Sequence, residues 1–173
     1  LAKMGVLWDG KILTGGKLQP PESVLDCKNS GTAMRFLIAQ AATCNFELIL
    51  DGDTSLRARS SLHLLESIGI EFSKQEANQE YPLLLRGPVT NKKIEIDVSK
   101  TSQFHSAVLL MAPRTKGFDL TTFGHAVSRK HSELTWDLCK LTGATHPGQP
   151  WQVSCPDVKI PADASMMAFA KLS

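Results

Sequence analysis

The sequence contains no C-x-x-C pair: its four cysteines, Cys27, Cys44, Cys139 and Cys155, are widely scattered. That spacing argues against a thiolate zinc site and for reduced thiols, the state expected of a cytoplasmic protein. The five histidines are equally dispersed, so no metal site is expected. No apolar run reaches the length of a bilayer span, and no charged-then-apolar leader opens the chain, so no membrane partner is expected. Charge of one sign is not in excess either. A formal net charge of +2 is too small to argue for a nucleic-acid or membrane surface as partner. The remaining composition, 42% hydrophobic and 21% charged, is ordinary for a folded soluble protein. A length of 173 residues suits one large domain or two small ones.

Against this plain background one short stretch stands out. Asn29-Ser30-Gly31-Thr32 is a polar run ahead of a segment that stays apolar to Ala42, interrupted only by Arg35 and Gln40. Asn and Ser cap helix N-termini, and Gly lets the backbone approach a ligand closely. A helix apolar on nearly every side must be buried, so its first N–H groups lie inside the molecule. Such a start is either capped by its own side chains or aimed at an anion.

An internal repeat organises the rest. Residues 46–52 read as a strand ending at Gly52, and 60–69 as an amphipathic helix with Leu62, Leu65 and Ile68 on one face and Gly69 as its stop. Strand-like runs follow at 81–87 and 93–99, then an apolar helix over 104–112. The same order recurs as a strand at 118–124, a helix at 132–143 with Leu134, Leu138 and Leu141 on one face, a strand pair over 151–163, and an apolar helix from 164 to 170. Residues 1–5 resemble the last turn of the amphipathic helix, with Gly5 in the role of Gly69. The chain thus enters its own repeat part-way through, as a portion of something longer would. Three buried helices are expected to start with polar signatures, at Asn29–Thr32, Lys100–Gln103 and Asp163–Ser165. If symmetry gathers those ends, their partial positive charges converge on one anion site.

The runs at 26–35, 52–59, 100–113, 124–131 and 160–165 appear in the order and spacing of the 5-enolpyruvylshikimate-3-phosphate synthase family, which the chain resembles from Leu1 to about Phe169. The signature around Asn29–Arg35 and the Ser102-Gln103-Phe104 motif are specific in combination. The resemblance implies an α/β (α+β) fold of repeated βαβαββ units, helices inside and sheets outside, in an inside-out barrel that is incomplete here at both ends. Residues 1–160 would form the first, N-terminal-type domain without its first strand and helix, and 161–173 the start of a crossover to a second domain. It also implies the activity of a 3-phosphoshikimate 1-carboxyvinyltransferase. The 5-hydroxyl of 3-phosphoshikimate attacks C2 of phosphoenolpyruvate, and the intermediate loses phosphate to leave an enolpyruvyl ether on the way to chorismate and aromatic amino acids. No metal or organic cofactor takes part in that chemistry.

Carried over residue by residue, the resemblance makes Gly31 the backbone donor to phosphoenolpyruvate, with Asn29 and Thr32 shaping the turn and Arg35 just behind it. Arg59 would grip phosphoenolpyruvate with its planar fork, whereas Arg57 on the same turn reads as a solvated charge. Thr101, Ser102 and Gln103 would bind 3-phosphoshikimate, Gln103 also touching phosphoenolpyruvate. Ser128 would contact the substrate phosphate, with Arg129 and His131 beside it. The acid–base groups are expected in a second domain of the same protein, so no catalytic residue is assigned within this chain. The sequence departs from the family pattern at Lys28, Ser60, Lys130-His131 and Ala162, where Gly, Pro, Pro-Tyr and Gly are usual. Two other readings compete: a non-catalytic remnant that binds phosphorylated ligands, and the sister UDP-N-acetylglucosamine enolpyruvyl transferase, which the Asn29–Arg35 signature disfavours.

Overall fold

The computed structural model describes residues 1–127 and 129–159. A short 3-10 turn (Ala2–Met4) closed by Gly5 leads into a hairpin of β1 (Leu7–Trp8) and β2 (Leu13–Thr14). One complete unit then runs through β3 (Leu25–Asp26), α1 (Gly31–Ala41), β4 (Glu47–Asp51), the single turn α2 (Thr54–Arg57), α3 (Leu62–Ile68), β5 (Glu71–Lys74) and β6 (Leu83–Arg86). The order starts again with β7 (Lys93–Asp97), α4 (Ser102–Met111), β8 (Asp119–Phe123) and α5 (Arg129–Leu141). The βαβαββ repeat is therefore present once in full and once as far as its second helix.

Local chemistry sets the helix ends. Ser30 Oγ accepts the amide of Ala33 at 3.1 Å and caps α1, and Thr101 Oγ1 accepts the amide of Gln103 at 3.2 Å and caps α4. Each such cap is worth about 1 kcal/mol. Helix α4 ends just before Pro113, whose missing N–H cannot continue it. Gly69 closes α3 in the left-handed region, with φ 73°, where a Cβ would be strained.

The two apolar helices lie side by side at the centre, as their composition requires. Met34, Ile38, Ala39 and Ala41 of α1 and Phe104, Ala107, Val108 and Met111 of α4 are buried in one cluster. A four-stranded sheet, ordered β3-β4-β6-β5, covers α1 with Leu48, Leu50, Leu83 and Leu85. Within it β3 and β4 are parallel, and β6 is antiparallel to both β4 and β5. The strands β7 and β8 form a separate parallel pair against α4. Burying one such Leu, Ile or Met side chain stabilises the fold by about 1.5–3 kcal/mol, so this shared seam dominates the energetics. Helix α3 also sinks Leu64, Leu65 and Ile68 into the core, whereas α5 buries only Cys139. Among the described residues the sheets stay separate and no closed barrel forms. No described helix is long and apolar enough to cross a membrane.

Two expectations need correction. The strand pair of the first unit is β5 with β6, not 81–87 with 93–99; β7 opens the next unit and pairs in parallel with β8. Strand β5 reads Glu-Phe-Ser-Lys and forms the edge of its sheet, where charge is favoured over an apolar pattern. The strands expected from Trp151 onward are absent over 151–159. A strand exists by pairing; here Pro156 lacks a donor, and the amide of Ser154 goes instead to the carbonyl of Thr142. The expected helix at 164–170 and the crossover at 161–173 lie outside the described residues.

Candidate functional site

Helices α1 and α4 begin next to each other. Gln103 in the first turn of α4 donates from Nε2 to Thr32 Oγ1 in the first turn of α1 at 3.1 Å. Two of the polar helix starts therefore do meet; the third lies outside the described residues.

Gly31 is the point on which the local side chains converge. A Cβ built there would stand 2.6 Å from Arg35 Nη1, 3.1 Å from Gln103 Oε1 and 3.2 Å from Arg59 Nη1. Two guanidinium groups and an amide thus approach the helix start where its own free N–H groups emerge. A side chain there would push these groups away from the helix start.

Arg59 lies in the link between α2 and α3 and reaches back across the turn. Its Nη2 donates to both the carbonyl and the side-chain oxygen of Asn29, each at 2.7 Å. The side chain is exposed, so its remaining donors face solvent and the site. Arg35 is the reverse case. It is 4% exposed, and its Nη2 donates to the carbonyls of Arg59 at 2.9 Å and Ser60 at 3.3 Å. Its Nε and Nη1 are sealed from solvent with no hydrogen-bond partner among the described residues. Burial pulls this guanidinium below its usual range; Tyr81 opposes that and Arg59 adds to it. An arginine nonetheless stays charged at any working pH, so a buried cation with idle donors sits beside Gly31.

A buttress fixes the Arg59 link from behind. Tyr81 Oη and Ser61 Oγ share a hydrogen bond of 2.7 Å, and the Ser61 amide donates to Glu80 at 2.6 Å. Tyr81 also donates to the Arg59 carbonyl at 3.5 Å. Burial pushes the Tyr81 phenol up to about 12, so it remains a donor. Beside this network opens a cavity of about 560 Å³, lined by Arg35, Arg59, His63, Lys100, Thr101 and Gln103 with Phe104 and Ser60. Its charged groups are all cationic, which suits an anionic ligand rich in oxygen.

Of the residues expected at a site, Asn29, Gly31, Thr32, Arg59, Thr101 and Gln103 come together here. Ser102 is partly buried, and its side chain makes no hydrogen bond among the described residues. Arg129 and His131 are exposed in the first turn of α5 and do not line the cavity; Arg129 pairs with Glu133 at 2.7 Å. Ser128 lies outside the described residues. Arg57 is not the free surface charge expected: it forks onto Asp51 at 3.0 and 2.7 Å and also reaches Gln79. Sequence reasoning missed His63 and the Tyr81 buttress, and it placed Lys100 only in the polar start of α4. The one available signal was that Tyr81 is the sole tyrosine of the chain.

A family model described as EPSP synthase (3-phosphoshikimate 1-carboxyvinyltransferase) matches residues 10–155. The 3-phosphoshikimate 1-carboxyvinyltransferase of Methanothrix thermoacetophila is 35% identical over 133 residues, covering 75% of this chain and 31% of that protein. Its namesake in Halobacterium salinarum is 30% identical over 176 residues, covering 91% of this chain and 40% of that protein. In three dimensions, an EPSP synthase from Acinetobacter baumannii superposes with a TM-score of 0.76 at 23% identity, covering 97% of this chain and 41% of that one. That likeness concerns the fold. The chain spans 31–40% of the length of these curated relatives. With a matching family model over most of its length and relatives at this identity, the chain belongs to the EPSP synthase family.

Proposed function

We propose that this chain is the first-domain portion of an enzyme that transfers the enolpyruvyl group of phosphoenolpyruvate to the 5-hydroxyl of 3-phosphoshikimate and releases phosphate. The supporting observation is the convergence of Arg35, Arg59 and Gln103 on Gly31, at the paired starts of α1 and α4. In this reading residues 1–160 belong to the first domain, 161–173 lead toward a second one, and the protein acts in the cytoplasm.

Phosphoenolpyruvate brings a carboxylate and a phosphate, and this corner offers the fork of Arg59 with the buried charge of Arg35 behind it. Arg59 is held by Asn29 so that its free edge faces the same place as the amide of Gly31. A helix start supplies only about half a charge, so a full cation beside it dominates capture of the anion. The two sealed donors of Arg35 favour negative charge at the Gly31 turn. Thr101, Ser102 and Gln103, at the start of α4, would take oxygens of 3-phosphoshikimate, with Ser128, Arg129 and His131 contributing from the start of α5. The proton transfers would be carried out by a second domain, so the 173 residues alone should be inactive.

The test is a phosphate-release assay on a longer protein that contains this sequence, alongside the chain by itself. The longer protein should turn over and the chain should not. In the longer protein Arg59→Ala should lower kcat/KM for phosphoenolpyruvate about tenfold to a hundredfold, since one charge-assisted hydrogen bond is worth roughly 1.5–3 kcal/mol. Release of phosphate by neither protein would overturn the reading.

A further inference from the structure

His63 lines the same cavity and has no place in the roles assigned above. It is the second residue of α3, and its ring is fixed between two others. Phe104 stands 5.7 Å away in a tilted arrangement, and Phe123 6.4 Å away edge-on. Its Nε2 accepts the backbone amide of Asp97 at 3.0 Å, joining α3 to the end of β7.

That one bond decides the chemistry of the ring. A backbone N–H only donates, so Nε2 must offer a lone pair and carry no proton. The hydrogen of the imidazole is then on Nδ1, and the ring is neutral. Nδ1 has no partner among the described residues and is not one of the sealed polar atoms. A neutral donor of fixed orientation therefore stands in a cavity wall beside the charged Arg59 and Lys100 and the neutral Thr101 and Gln103.

We propose that His63 is a further substrate-binding residue, its Nδ1–H donating to an oxygen of 3-phosphoshikimate. The proposal rests on the function proposed above. A neutral donor adds direction without adding charge, so it favours a ligand oxygen at one position over an anion merely attracted to the cavity. The amide of Asp97 acts as the clamp that keeps the donor on the cavity side.

The experiment uses the full chain labelled with 15N at histidine. In its NMR spectrum His63 should show a protonated Nδ1 and a bare Nε2, and adding 3-phosphoshikimate should move the Nδ1 signal more than the Nε2 signal. Two variants then separate the two nitrogens. His63→Gln keeps an acceptor near Nε2 and removes the donor near Nδ1; His63→Asn does the opposite. By calorimetry His63→Gln should bind 3-phosphoshikimate about tenfold more weakly, and His63→Asn should remain within about threefold of the unaltered chain. By melting the order should invert, because only His63→Asn loses the Asp97 bond. A histidine that served structure alone would make the less stable variant the weaker binder. A protonated Nε2, or His63→Gln binding as well as the unaltered chain, would overturn the role of His63. Failure of a longer protein containing this sequence to bind 3-phosphoshikimate would instead overturn the functional reading beneath it.

Discussion

Helices α1 and α4 occupy the same place in successive units and carry a buried polar residue at the same step, five positions past the cap. Arg35 follows the cap Ser30, and Ser106 follows the cap Thr101; each is 4% exposed. Both reach the second helical segment of their own unit. Arg35 holds the carbonyls of Arg59 and Ser60 ahead of α3, and Ser106 bonds Thr135 of α5 at 2.8 Å. The difference lies in what is left over. The Ser106 hydroxyl has its partner, whereas Arg35 keeps two sealed donors without one. An unsatisfied buried donor costs about 1–3 kcal/mol, a cost a purely structural contact would not carry. The same position is satisfied in the second unit and keeps idle cationic donors in the first.

The sharpest way to break that comparison is to exchange the roles. Arg35→Met keeps the volume and removes the buried charge. The carbonyls of Arg59 and Ser60 lose their donor, but two sealed, unpartnered donors go with the charge, so the change in melting temperature should be small. Binding of phosphoenolpyruvate by the full chain, read by calorimetry, should fall at least about tenfold to a hundredfold. Ser106→Ala should do the reverse: a loss of about 1 kcal/mol in stability and no change in binding. Equal effects of the two variants on binding would show that both positions serve packing alone.

Gly31→Ala sharpens the same contrast with a smaller expected effect. Its methyl group would fall 2.6 Å from Arg35 Nη1 and close to Arg59 and Gln103, so these groups must move away from the helix start. The affected atoms are ends of flexible side chains, so the fold should survive. Affinity for phosphoenolpyruvate should drop about tenfold, the equivalent of one good hydrogen bond. Unchanged affinity would place the anion elsewhere in the cavity.

The second unit has its own titrating group. Burial holds His105, on α4, below the usual histidine range. Its folded pKa is lowered, so the unfolded chain takes up the proton first and the fold loses stability as pH falls below about 6.5. The stability is fully present above that value. Melting temperatures measured from about pH 7.5 down to about pH 5.5 should fall, and His105→Gln should flatten the decline. An equally steep decline in the variant would assign the effect to other groups.

How much of this was legible depended on how local the signal was. Helix α1 could be read from the cap and the apolar run because both lie within its own residues. Strand β5 could not, because an edge strand is defined by its neighbour β6 rather than by its pattern. Arg35 was visible as the lone cation of an apolar run, but its idle donors depend on what surrounds it in space. Arg57 was misread for the same reason: helical spacing gives a face, whereas its partner Asp51 lies at the end of β4. His63 was beyond reach, since the amide that fixes its ring is 34 residues away. Arg59 drew attention only through the family pattern. Its grip on Asn29 is a contact across 30 residues that no periodicity encodes.

The smallest effect concerns the approach to the turn. Lys28 has φ 51°, the only described non-glycine residue in the left-handed region. That backbone costs an L-residue with a Cβ about 1–2 kcal/mol. Two local contacts offset part of this: Nζ meets Asp26 at 2.6 Å, and the Lys28 amide donates to the same carboxylate at 2.8 Å. The ion pair is exposed and contributes little, and the amide bond survives any side-chain change. Glycine would also free the unfolded chain, at a cost of about 0.5–1 kcal/mol. Lys28→Gly should therefore stabilise the chain by no more than about 1 kcal/mol, a rise of about 2–4 °C at most in melting temperature. The Lys28 carbonyl would still accept the Asp53 amide, now at 2.9 Å, so Asn29 and its hold on Arg59 should persist and phosphoenolpyruvate affinity should not change. A lower melting temperature would mean that the Asp26 pair outweighs the backbone strain. A weaker affinity with the fold intact would mean instead that the Lys28 charge belongs to the anion site of the first unit, widening its contrast with the second.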